Sequence, residues 1–150
     1  MTRRVDRARR TAGASPSSDS TARARPFDRA TLHGQITFLP TADLAATDAF
    51  YTGLVGLPLV RDQGVCRIYG TVPGAYLGFC DRGYAVPEDH RVVLTLLVDD
   101  VAASFERLRA AGAQVVSEPA HSARYAALTA FVRDPNGYLL ELQRFDEPLP

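Results

Sequence analysis

A chain of 150 residues with 46% hydrophobic side chains has room for one domain plus a tail, and its 17 basic and 17 acidic groups cancel. No apolar run approaches the ~18 residues of a membrane-spanning helix. Two cysteines, Cys66 and Cys80, are too few for a disulfide framework or an all-cysteine zinc site, so both are expected as packed thiols in a reducing cytoplasm. Every basic residue is arginine, which excludes Schiff-base chemistry on lysine and a P-loop lysine.

The zero net charge hides an asymmetry. Residues 1–26 hold seven arginines against Asp6 and Asp19, and residues 27–150 hold ten arginines against fifteen acids. The first stretch is otherwise mostly Ala, Ser, Thr and Pro, with Val5 its only large apolar side chain beyond Met1. It cannot bury enough apolar surface to offset its ordering entropy, so residues 1–30 are expected to be a disordered leader. It lacks the interleaved aromatics of a nucleic-acid-binding arm, and nucleic acid is not an expected partner.

From Gln35 onward strand and helix signals alternate. Gln35–Thr41 reads as a strand, Asp43 as a helix N-cap, and Leu44, Thr47, Phe50, Tyr51 and Leu54 recur at helical spacing before Gly56 ends the helix. Strands over 57–62, 66–71 and 76–80 follow, separated by Gly and Pro turns, and then a polar loop over 81–90. The order then repeats. A strand over 91–98 leads to Asp100, to a helical stripe of Val101, Phe105, Leu108 and Ala111, and to Gly112. Strands over 114–118, 125–133 and 138–145 complete the second half, the last two joined by an Asp-Pro-Asn-Gly turn. The two capping aspartates stand 57 residues apart. An α+β fold of two tandem βαβββ units is predicted, each helix covering one sheet face and leaving the other to form a concave cup.

The run from Thr41 through Phe50-Tyr51 to Leu54-Val-Gly56-Leu57, with Phe131-Val-Arg-Asp134-Pro135-Asn136-Gly137-Tyr138 and Glu141-Leu142 in the second half, resembles the vicinal oxygen chelate superfamily. That superfamily includes glyoxalase I, bleomycin-resistance proteins, fosfomycin-resistance enzymes and extradiol dioxygenases. The resemblance spans about residues 34–146. It implies a homodimer and, in the metal enzymes, up to four metal ligands on the concave faces. The first of these stands seven residues before the capping aspartate, which here is Ile36. Its second-half equivalent is Val93, the third position maps to Gly78, and only Glu141 at the fourth keeps a ligand-type side chain. One carboxylate is short of the about three protein ligands of an open metal site.

Strand alternation supplies the rest of the cup. Val92, Leu94 and Leu96 should meet the helix, leaving Arg91, Val93, Thr95 and Leu97 inward. On the last strand Leu139, Glu141, Gln143 and Phe145 should face inward, with Thr129, Phe131 and Arg133 beside them. In the first half Ile36, Phe38, Arg67, Tyr69, Tyr76 and Cys80 are placed in the cup, with Cys66 toward the helix. Ile36, Phe38, Arg67, Tyr69, Tyr76, Val93, Thr95, Phe131, Glu141 and Gln143 are the expected ligand-binding residues. Apolar walls with a few orienting polar groups are the composition of a small-molecule pocket.

The expected function is a metal-free binding protein of the bleomycin-resistance type, holding an apolar or aromatic metabolite or drug, with no cofactor. Whether the protein is an enzyme stays open. The alternative is a glyoxalase-like lyase or dioxygenase with a divalent metal at a displaced site.

Overall fold

The computed structural model describes residues 31–83, 86 and 90–150, of which His33–Pro150 form one unit. The expected leader, and the part of the polar loop that holds Pro87, lie outside the described residues.

The first unit runs β1 (Gln35–Thr41), α1 (Leu44–Asp48), a π-helical continuation (Ala49–Val55), β2 (Leu59–Asp62), β3 (Cys66–Val72) and β4 (Ala75–Asp81). The second runs β5 (Val93–Leu97), α2 (Val101–Ala110), β6 (Gln114–Ser122), β7 (Ala127–Arg133) and β8 (Leu139–Phe145). Each unit folds one mixed four-stranded sheet, in the orders β1-β4-β3-β2 and β5-β8-β7-β6. In both, the strand entering the helix pairs parallel with the last strand of its unit. The α+β fold of two βαβββ units is therefore as the sequence predicts.

Both helices start as predicted. The Asp43 carboxylate accepts from the amides of Ala45 and Ala46 at 2.9 Å, and that of Asp100 from the amide of Ala103 at 2.9 Å. Each cap satisfies amides that have no partner inside the helix and is worth about 1 kcal/mol. The end of the first helix is wider than an α-helix. The extra residue of the π-turn lets the neighbours Phe50 and Tyr51 both turn into the core. Gly56, at φ 85°, then closes the helix in the left-handed region open to glycine.

One apolar core joins both units. Tyr51, Tyr69, Phe79, Tyr138, Val101, Phe105 and Leu140 are its large buried side chains. Tyr51 lies 4.6 Å from Phe79 between ring centroids, and Phe79 lies 6.2 Å from Tyr138. A polar clamp crosses beside it. Asp134 accepts from the amides of Asn136 and Tyr138 and, at 3.0 Å, from the Tyr51 hydroxyl. Asn136 bonds both Thr41 and Thr47, and the Tyr138 hydroxyl donates to the Pro40 carbonyl at 2.9 Å. The Asp-Pro-Asn-Gly turn thus ties the second unit to the end of β1 and to α1.

Candidate functional site on the concave sheet faces

Strand register fixes which side chains share the face turned away from the helices. In the second sheet, Val93 stands opposite Leu139, Thr95 opposite Glu141 and Leu97 opposite Gln143. On the far side of β8, Phe131 stands opposite Glu141 and Thr129 opposite Gln143. Thr95, Glu141 and Phe131 therefore form one row across three strands, with Gln143 in the next. The Thr95 hydroxyl donates to Glu141 Oε2 at 2.6 Å. One oxygen of the half-buried carboxylate is thus held by a neighbouring hydroxyl.

In the first sheet, Ile36 stands opposite Tyr76 and Phe38 opposite Gly78. Ile68 pairs with Gly78 on one side and Arg61 on the other. A pocket of about 560 Å³ covers this face, lined by Ile36, Phe38, Val60, Arg61, Gln63, Ile68 and Tyr76. All seven belong to the first unit. Phe38 is 46% exposed and Leu97, on the second face, 56%. Both faces present apolar surface to solvent.

Two expected cup residues are not there. Arg67 and Tyr69 pair with Phe79 and Leu77 and so point toward α1. Arg67 donates to the Leu44 carbonyl at 3.1 Å and makes ion pairs with Asp48 and Asp62 at 3.7 and 3.4 Å. Tyr69 is fully buried and its hydroxyl donates to Asp48 at 3.0 Å. Burial, then the Asp48 carboxylate, raises the Tyr69 pKa. The physical reason is hairpin parity. Residues opposite each other across an antiparallel pair share a face, so Tyr76 shares its face with Gly70 and not with Tyr69. Arg61 and Gln63 are the polar groups of the first face that the sequence reading missed. Once the β3–β4 register pairs Tyr76 with Gly70, Ile68 and Arg61 follow onto the same face.

The same parity corrects the cysteines. Cys66 and Cys80 are direct register partners, with Cα atoms 4.1 Å apart, and form a disulfide on the concave side. They are neither free thiols nor on opposite faces.

Arg133 shares the row of Val93 and Leu139 and donates to the Gly137 carbonyl at 2.9 Å. His121 pairs with Asp146 at 3.0 Å, and the His90 ring lies 4.5 Å from that of Tyr138. Among the described residues no group of three or more His, Cys, Asp or Glu is placed to hold a metal ion. No helix there is long and apolar enough to cross a membrane.

Residues 32–142 match the profile of the Glyoxalase/Bleomycin resistance protein/Dioxygenase superfamily, and the chain belongs to that superfamily. It is 31% identical over 120 residues to a probable lactoylglutathione lyase of Vibrio cholerae, covering 71% of this chain and 86% of that protein. Among solved structures it is similar to a glyoxalase-related enzyme from Fulvimarina pelagi, with a TM-score of 0.61 at 26% identity over 72% of this chain and 84% of the other. A glyoxalase/bleomycin resistance protein/dioxygenase from Nocardioides superposes with a TM-score of 0.65 at 24% identity, over 83% and 89% of the two chains, a likeness of fold.

The residues at the superfamily's metal positions do not fit a divalent ion. The register places Ile36 and Gly78 in the first sheet where Val93 and Glu141 stand in the second. Ile36 and Val93 carry no donor atom. A side chain at 78 would collide with the Phe38 ring, which lies over the glycine. Glu141 remains, already bonded to Thr95.

Proposed function

We propose that the protein binds an apolar or aromatic small molecule on its concave faces without a metal. The observation that carries this is the Phe38 ring seated on Gly78: the space a third metal ligand would need is an aromatic floor. Phe38, Tyr76 and Phe131 would supply stacking and apolar contact, and Ile36 and Val93 the flanking walls. Arg61 on one face, and Thr95, Glu141 and Gln143 on the other, would orient the ligand. Two copies would bring a first face against a second face, so a homodimer is part of the proposal. The cytoplasmic location expected from two packed thiols loses that support, because the two cysteines are paired.

The second reading is a metal-dependent lyase, favoured by relatives that carry the name lactoylglutathione lyase. Metal analysis after purification without chelators, joined to a thermal-shift screen of aromatic metabolites and antibiotics, separates the two. The binding reading expects substoichiometric metal and ligand stabilisation that survives EDTA. Stoichiometric metal, with lactoylglutathione lyase activity lost on chelation and restored by metal, would replace it with the lyase.

A further inference from the structure

The two units share one plan, yet the junction that this plan creates twice is filled only once. Where the β7–β8 turn meets the end of β1 and α1, the rings of Tyr51, Phe79 and Tyr138 pack together and the Tyr138 hydroxyl reaches the Pro40 carbonyl. The matching junction is where the β3–β4 turn meets the end of β5 and α2. Tyr51 and Leu108 each stand eight residues after their capping aspartate, and both are buried. Gly137 and Gly74, both at positive φ, are followed by Tyr138 and Ala75, and five residues on by Leu142 and Phe79 respectively. Three aromatic rings at the filled junction thus correspond to Leu108, Leu142 and Ala75 at the other. Those three line a cavity of about 430 Å³, together with Val98, Ser104 and Arg107.

We propose that this cavity, which meets the end of the second concave face at Thr95 and Leu97, is a second small-molecule site, and that it takes a phenol-sized aromatic ligand in place of the missing tyrosine ring. Its volume falls in the range of small-molecule pockets, ~300–1,000 Å³, and its lining is mostly apolar with Thr71, Ser104 and Arg107 among its few polar groups. A hydrogen-bond acceptor waits where the twin has one. The Val98 amide donates to Gln143 across the parallel ladder. A strand residue's N–H and C=O point to the same side, so the Leu97 carbonyl, equivalent to that of Pro40, faces the open edge. A phenolic hydroxyl can donate to it. Arg107 in the wall favours an acidic over a basic ring substituent.

The probes are p-cresol, 4-hydroxyphenylacetate and tyramine, read by methyl NMR and by thermal shift on the full chain. The site predicts p-cresol shifts at Leu108, Leu142 and Val98, tighter binding of the acid than of the amine, and a rise in Tm. Ala75→Tyr refills the cavity from within and should cut p-cresol affinity by at least about tenfold while raising the Tm of the free protein. Leu142→Phe serves the same purpose should Ala75→Tyr fail to fold. Shifts confined to Phe38, Tyr76 and Phe131, no shifts at all because another copy covers the cavity, or p-cresol binding unchanged in both refilled variants would each overturn the proposal. Ligands that stabilise through the concave faces would be untouched by that failure.

Discussion

Asp134 shows how one turn residue can carry more than its turn. Its two oxygens accept from two amides of its own turn, from Asn136 and from the Tyr51 hydroxyl, 83 residues away. Burial raises its pKa above the ordinary carboxylate range, and the hydrogen bonds it accepts oppose that rise without cancelling it. Asp134→Ala strips these buried donors of their acceptor and should cost about 3 kcal/mol, read by denaturant unfolding. The sign of the pH effect follows from the raised value. The folded state holds the proton more tightly than the unfolded chain, so this contribution is full below the unfolded carboxyl pKa and is lost as pH rises through the folded one. Asp134→Asn should flatten that part of the stability curve, and an unchanged slope would remove Asp134 as its source. On the second concave face, Phe131→Ala should weaken a bound aromatic ligand by about 2 kcal/mol, whereas Glu141→Gln should change ligand preference more than stability. Titration calorimetry with one hit from the thermal-shift screen, on both variants, checks the pair.

Among the elements, the β3–β4 hairpin is the one whose chemistry departs most from expectation. Its disulfide closes a sequence separation of 14 residues, a loop whose constraint on the unfolded chain is worth at most about 3 kcal/mol. A reductant, or the double variant Cys66→Ala/Cys80→Ala, should lower Tm; thiols that react with an alkylating agent before reduction would show that the staple is absent. The elements themselves were legible in the sequence because local rules set them: Asp43 and Asp100 as caps, Gly56 and Gly112 as stops, and the alternation that places Val93, Thr95, Glu141 and Gln143 on one face. The first-half face was misread because hairpin parity depends on how β3 and β4 meet around their turn, and a bulge between Gly70 and Val72 interrupts the count. Arg67 and Tyr69 look like binding residues in isolation. Asp48, on another element and outside any short window around them, holds the Tyr69 hydroxyl and shares Arg67 with the nearby Asp62. The clamp of Tyr51 to Asp134 was out of reach for the same reason.

At the scale of the whole molecule, the exposed concave faces are the feature that one chain leaves unresolved. Ile36 and Phe38 on the first and Val93 and Leu97 on the second are all more than two-fifths exposed, and clustered apolar exposure of this kind marks an interaction surface. A ligand on one face alone would keep a large part of its own surface in water, whereas small-molecule sites bury most of theirs. A two-fold pair would solve both problems, because one operation would set the first face of each copy against the second face of the other and close two cups from four open halves. The 16.3 kDa chain should therefore scatter light as a dimer at micromolar concentration. Phe38→Glu places a charge in the middle of the joint and should shift the mass toward the monomer without unfolding the chain, since that side chain lies outside the buried core. Ligand stabilisation should fall with it, because each cup then loses half its wall. A wild-type protein that scatters as a monomer across the micromolar range, yet still binds an aromatic ligand on its concave face, would show that a single face suffices and would end the case for a shared cup.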